Sequence, residues 1–319
     1  LMPVAATLVT EYAPAGRKNL VYVTMQSGYG LGGLLAAGLG IFVIPQFGWH
    51  VMYLFAAAPL ILIVPLAFVS LPESVQYMHA KGRRDEANEV VRRMGLSPET
   101  ADRDEPTSAV GGVRTLFSPQ YRARTLTFWS TTFCALLLVY GLNTWLPDIM
   151  RSQGYALGSS LSFLIAFNLG SIVGVIIAGG AADRFGPRII IAATFAIGAA
   201  ATATLAVDLP TAVLYACCAV GGYGSVGVQT LNNGFIAQSY PAYASATGVG
   251  WALGVGRLGA VAGPILAGIV ADSSLGTKSN FYMFAIVGVI GAILTLLLRV
   301  GYSRTELTRT MSSKSSLSI

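Results

Sequence analysis

Eight long apolar runs, at residues 20–44, 49–71, 123–147, 161–182, 189–207, 210–237, 243–271 and 281–300, constrain this chain more than any other feature. Each is long enough to cross a hydrocarbon core of ~30 Å as an α-helix, which takes roughly 20 residues. Lipid offers the backbone no hydrogen-bonding partner, so such a run must be helical, whereas a barrel needs shorter alternating strands. Composition agrees: 54% of the residues are hydrophobic and 11% charged, against roughly a quarter charged in a soluble domain. The expected fold is therefore an all-α membrane protein with eight complete spans.

The net charge of +6 does not point to nucleic acid, because its distribution along the chain follows the spans. If the loop at Arg17 and Lys18 is cytoplasmic, alternation puts the 72–122 connection, the 183–188 loop and the C-terminal tail on the same side. Those segments carry 17 of the 20 Lys and Arg, and the opposite loops carry only Arg151 and Lys278. The positive-inside rule then predicts a multi-pass protein of the inner (plasma) membrane with a cytoplasmic C-terminus. Cys134, Cys217 and Cys218 lie inside apolar runs without metal-ligand spacing, and read as small buried side chains. His50 and His79 have no ligand partner nearby in the sequence. With neither a metal set nor a nucleophile and base, no cofactor and no enzymatic chemistry are expected.

The spans also repeat. Gly28, Gly30 and Gly33 align with Gly254, Gly256 and Gly259 at an offset of 226, and Pro14 aligns with Pro241 at 227. In each block a proline hinge precedes a glycine-rich span, a short outer loop and another span, as in a transporter built by parallel duplication. The three spans over 122–207 then imply counterparts before Leu1. Residues 1–10, apolar but too short to span, read as the tail of a fourth helix, and the intact protein as twelve helices in two sixes. On this reading the missing N-terminal helices of the same protein complete the bundle. Residues 1–71 hold the end of helix 4 with helices 5 and 6, 72–122 a cytoplasmic connection, 123–300 the C-terminal six-helix half, and 301–319 a disordered cytoplasmic tail. Within the connection, Glu73 to Gly95 places Ala87, Val90, Val91 and Met94 on one face of an amphipathic helix. Residues 97–112, SPETADRDEPTSAVGG, read as a flexible linker.

Three stretches match GxGxxG: Gly28–Gly33, Gly222–Gly227 and Gly254–Gly259. A dinucleotide loop needs a preceding strand and an acid about 20 residues on, and none of the three has that context. Small residues at this spacing let membrane helices approach closely, so the glycines are read as packing positions.

GGAADRFGPR, from Gly179 to Arg188, is more specific. Asp183 and Arg184 close one span, Gly186 permits a tight turn, Pro187 starts the next helix and Arg188 faces the cytoplasm. This GxxxDRxGxR loop between two spans resembles the signature loop of the major facilitator superfamily, where it joins helices 8 and 9, in agreement with the repeat. The resemblance implies that Asp183 meets the start of helix 5 near Asn19 and Leu20, whose dipole favours an anion, and latches the outward-open state together with Arg184. Within the superfamily, TEYAPAGRKN (Thr10–Asn19), LPESVQYMHAKGR (Leu71–Arg83) and WLPDIMRSQGY (Trp145–Tyr155) resemble the aromatic acid:proton symporters, while LPES is also similar to sugar porters. The implied function is inward transport of benzoate, hydroxybenzoates or protocatechuate with protons. The partners are then a small organic anion, protons and the lipid bilayer, with no nucleic acid. Glu11 resembles the family's helix 4 acid, for the proton path or the cytoplasmic gate; the other reading is an interfacial partner for Arg17.

Arg257 is the residue that chemistry can weigh directly. It is the one charge between Tyr243 and Ala271. An arginine near the bilayer centre costs at least ~2.5 to 3.5 kcal/mol, and its guanidinium stays protonated. It needs an anion or a wet cavity, and its planar fork fits a carboxylate. Substrate binding or coupling and a structural ion pair both satisfy this. Gln26 and Tyr29 on helix 5, Tyr140, Asn143 and Trp145 on helix 7, Asn168 on helix 8, and Gln229 and Asn232 on helix 10 are further candidates to line a cavity, or else to bond between helices. The alternatives to an aromatic acid importer are a carrier of a sugar or another organic anion, and a truncated membrane protein that transports nothing.

Overall fold

The computed structural model describes residues 18–70, 78, 83–93 and 109–298. Each apolar run becomes a helix: α1 (Lys18–Phe47), α2 (Val51–Ser70), α5 (Arg122–Ser152), α6 (Leu157–Phe185), α7 (Pro187–Thr204), α10 (Ala242–Asp272) and α11 (Ser279–Leu297), with α8 (Thr211–Gly222) and α9 (Val228–Ser239) joined in one rod by a π-helical turn, Tyr223–Gly227. Between them lie two shorter helices, α3 (Arg84–Arg93) and α4 (Ala109–Leu116). Among the described residues, seven rods are long and apolar enough to cross a membrane, and α2 is an eighth apolar helix. Leu35, Phe42, Ile177, Ile269 and Leu297 are each more than 60% exposed. These side chains suit a hydrocarbon solvent.

Without a hydrophobic drive between helices in lipid, the bundle is held by close backbone contact at small residues. α5 and α10 meet at Gly259, where a Cβ would lie 2.2 Å from the Phe133 carbonyl oxygen, and at Gly263, 2.5 Å from that of Leu137. α6 and α8 meet at Gly170 and Gly222, each 1.9 Å from a facing carbonyl oxygen, of Ala219 and Phe167. Gly198 of α7 lies against Gly224 in the π turn. All three GxGxxG matches therefore contain packing glycines, since Gly30 and Gly33 of α1 also face Ile172 and Asn168 of α6. The π turn is invisible in the sequence. It sits where Tyr223 bonds Thr194 Oγ1 through its hydroxyl at 2.7 Å, and π turns inside helices mark functional sites often.

At the end of the bundle where α5 begins, the linker reading is corrected in its last residues. Ala109–Leu116 is a helix packed on α10, with Gly112 against Thr247 and Leu116 fully buried. The linker's polar composition hid this because the apolar anchor, Leu116, lies just beyond it. Thr125 Oγ1 donates to the Leu116 carbonyl and pairs with the Tyr240 hydroxyl, both at 2.8 Å. Burial pushes the Tyr240 hydroxyl pKa up, against the Thr125 hydrogen bond and the nearby Arg124 charge, which pull it down. The amphipathic helix is described as Arg84–Arg93, with Val90 half-buried. The side chains of Ala87, Val91 and Met94 lie outside the described residues, as do residues 1–17 and 299–319.

Candidate functional site

The site is built on the α5–α10 seam. Gly256 presses on Thr132 Cγ2 and Leu136, and Gly259 on the Phe133 backbone, so the register of α10 against α5 is set on both sides of Arg257. Arg257 projects from the middle of α10 and is exposed. Its Nη1 donates to the Tyr140 hydroxyl at 2.7 Å, and its guanidinium carbon lies 5.8 Å from the Tyr140 ring centroid. Among the described residues no ion pair includes Arg257. Toward the start of α10, Thr247, Gly250, Trp251 and Gly254 line an open groove of about 360 Å³. Trp251 is 45% exposed and stacks on Trp129.

The other candidates separate by where they bond. Asn143, one turn along α5 from Tyr140, is half-buried and donates to the Val139 carbonyl at 2.8 Å. Trp145 donates from Nε1 to the Pro264 carbonyl at 3.0 Å with its ring near Gly268, an interhelical bond between α5 and α10. Asn168 is fully buried between α6 and α1: it donates to the Leu164 carbonyl, and Oδ1, close to Gly33, has no hydrogen-bond partner. Gln26 of α1 lines a cavity of about 10 Å³ with Ser171 of α6 and Thr230 of α9, room for about one water. Gln229 is half-buried on α9. Tyr29 lies in α1 with its side chain outside the described residues. Arg257 and Tyr140 are thus joined directly, with Asn143 beside them, whereas Gln26 and Asn168 belong to the α1–α6 interface.

Sequence reasoning named Asn232 but overlooked the two threonines with which it forms a polar node beside Gly256. Asn232 Nδ2 donates to Thr132 Oγ1 at 2.9 Å and to Thr131 Oγ1 at 3.4 Å, and the Oδ1 atoms of Asn232 and Asn233 are buried without partners. Thr132 therefore ties α9 to α5 while its methyl supports Gly256 of α10. The signal was the Thr131–Thr132 pair within an apolar run, easily passed over because threonine in a span usually bonds its own helix, as both do here to Phe128.

In the α6–α7 loop, Gly186 adopts φ +87° and donates to the Ala182 carbonyl at 2.9 Å, closing α6, and Pro187 opens α7. Arg184 is exposed, and the space around Gly179 is open. Arg188 does not simply face outward: it donates to the Leu296 carbonyl at the end of α11, where the helix dipole favours a cation. Asp183 ends α6 with its side chain outside the described residues, and Glu11 lies outside them altogether.

The sequence profile of the Major Facilitator Superfamily matches this chain over residues 1–252 and again over 128–316. The benzoate transport protein of Acinetobacter baylyi is 34% identical over 305 residues, covering 93% of this chain and 65% of that protein. The gentisate transporter of Corynebacterium glutamicum is 34% identical over 306 residues, covering 94% and 64%. This chain thus spans slightly less than two thirds of the length of these relatives. Among solved structures, the partially occluded inward-open xylose transporter XylE from E. coli superposes with a TM-score of 0.64 at 18% identity, over 92% of this chain and 66% of that one.

Proposed function

This chain belongs to the major facilitator superfamily, and from that premise we propose that it serves proton-coupled uptake of an aromatic carboxylate such as benzoate, a hydroxybenzoate or protocatechuate. It is an integral membrane protein, and its named relatives are transporters rather than enzymes. The observation that carries the reading is Arg257, a permanent cation in mid-span whose described partner is a neutral phenol. A fork held by Tyr140 suits a carboxylate, and the Tyr140 ring and the groove beside Trp251 suit an aromatic body. The names of the benzoate and gentisate relatives support the same chemistry.

In this mechanism two six-helix halves rock about a midplane site. α1 against α6 is a contact across the halves, and its Gly30 and Gly33 let the helices slide at close range. Arg257 holds the carboxylate, Asn143 and Gln229 stand as further lining residues, and Asp183 with Arg184 closes the cytoplasmic side. Glu11 is proposed to take part in the proton path or that gate. The inner membrane with a cytoplasmic C-terminus is the proposed setting, supported by the 17 basic residues on one side. The test is uptake of labelled benzoate, 4-hydroxybenzoate and xylose by cells expressing the complete gene, with and without a protonophore. Aromatic acids should accumulate only with the proton gradient, and accumulation of xylose alone would overturn the assignment.

A further inference from the structure

We infer that Tyr140 is the second donor of an anion cradle, turning its hydroxyl hydrogen onto the same carboxylate that Arg257 holds. The inference rests on the proposed role of Arg257 and goes beyond it in assigning specificity to a neutral residue. A phenol has one O–H donor and two lone pairs, and a guanidinium has donors only. The 2.7 Å contact between Arg257 Nη1 and the Tyr140 hydroxyl can therefore run in one direction, with the phenol as acceptor. Among the described residues the Tyr140 hydroxyl makes no other hydrogen bond, so its hydrogen remains to be given.

Two effects make that hydrogen a strong donor aimed at one place. Accepting from a cation polarises the O–H bond, since linked hydrogen bonds strengthen one another where water is scarce. The same contact, with the guanidinium beside the ring, holds the arginine in one rotamer and removes much of the entropy lost on binding. The backbone fixes the pair in turn. Gly141, next to Tyr140, packs on the Phe284 ring and the Gly263 backbone, while Gly256 and Gly259 flank Arg257 against α5. These contacts fix the two backbones from which the side chains reach each other.

A carboxylate meets this arrangement with two oxygens, both acceptors. An uncharged carboxamide of the same shape brings an N–H₂ group against donors. The amide keeps one acceptor oxygen where the carboxylate has two, so Arg257 and the Tyr140 hydroxyl compete for it, and its N–H₂ faces a guanidinium that has no lone pair to offer. Tyr140 is then a determinant of anion against amide, separate from the charge of Arg257.

The experiment uses the protein expressed from its complete gene, with labelled benzoate as the transported probe and benzamide as the competitor. Tyr140→Phe should raise the KM for benzoate roughly ten- to hundredfold, as expected for loss of a hydrogen bond to a charged group, with Vmax per protein little changed. It should also narrow the preference for benzoate over benzamide. In an Arg257→Lys background the same change should add less than about threefold, because the two donors act on one ligand. A 3-fluorotyrosine at position 140, a stronger donor on the same frame, should lower the KM. An unchanged KM in Tyr140→Phe, multiplicative effects with Arg257→Lys, or a raised KM with 3-fluorotyrosine would each overturn the inference while leaving Arg257 in place. An unchanged KM in Arg257→Lys alone would instead remove the reading on which it stands.

Discussion

At the scale of single residues, Arg257 is an arginine that cannot give up its charge. Its position in the middle of α10 is costly in lipid, and the described structure answers with a phenol rather than an acid. Lysine would keep the charge but concentrate it on a compact ammonium that cannot present a planar fork. Arg257→Lys should therefore cut benzoate uptake by at least about tenfold, since a lost charged hydrogen bond is worth ~1.5 kcal/mol or more, while the protein still reaches the membrane. Uptake at the unsubstituted rate, normalised to protein in the membrane, would contradict the carboxylate role. Arg257 was legible in the sequence as an isolated charge, and Tyr140 only as one of several polar residues. Their meeting was not, because 117 positions separate them and nothing local says which faces of two helices turn together.

Among elements, glycine spacing does the positioning. The seam of α10 on α5 is so close that a side chain at Gly259 would run into the Phe133 backbone, whereas Gly254, one turn away, has open space around it. Gly259→Leu should lower the melting temperature of the detergent-solubilised protein and weaken benzoate binding together, because the helices must part and carry Arg257 off Tyr140. Gly254→Ala should leave the melting temperature unchanged or raise it, since alanine is favoured over glycine in a helix by ~1 kcal/mol. Equal destabilisation by the two would mean that the seam is not where the structure puts it. The repeated glycines were visible in the sequence as a scaffold, but which were in contact was not: Gly28 and Gly254, aligned by the repeat, both lie free. The α4 helix escaped notice for a related reason, as its deep anchor, Leu116, is buried in the core shared with the long helices rather than by its own neighbours.

For the whole molecule, the charge distribution proposes an orientation that labelling can check. Lys278 lies between α10 and α11, where it pairs with Asp208 at 2.6 Å, and Arg184 lies at the opposite end of α6–α7. With Cys134, Cys217 and Cys218 replaced by alanine, Lys278→Cys should react with a membrane-impermeant maleimide on intact cells. Arg184→Cys should react only after permeabilisation. The reverse pattern would invert the proposed topology. The Lys278–Asp208 pair itself, exposed on both partners, is worth no more than ~1 kcal/mol, so its loss should not confuse the result.

The sequence by itself determined which stretches of the described residues form apolar helices, to within a few residues at their ends, and that one carries a charge needing compensation. Hydrophobicity and charge add up residue by residue along a chain, and lipid admits helices wherever the sum is high enough. Only the tertiary structure decided that Trp145 bonds across to Pro264, that Asn168 faces Gly33, that Asn232 reaches Thr132, and that Arg257 rests on Tyr140. These depend on the rotation of each helix about its axis. That rotation is set by backbone contacts at glycines distant in the chain, a property of pairs of helices that no single run contains.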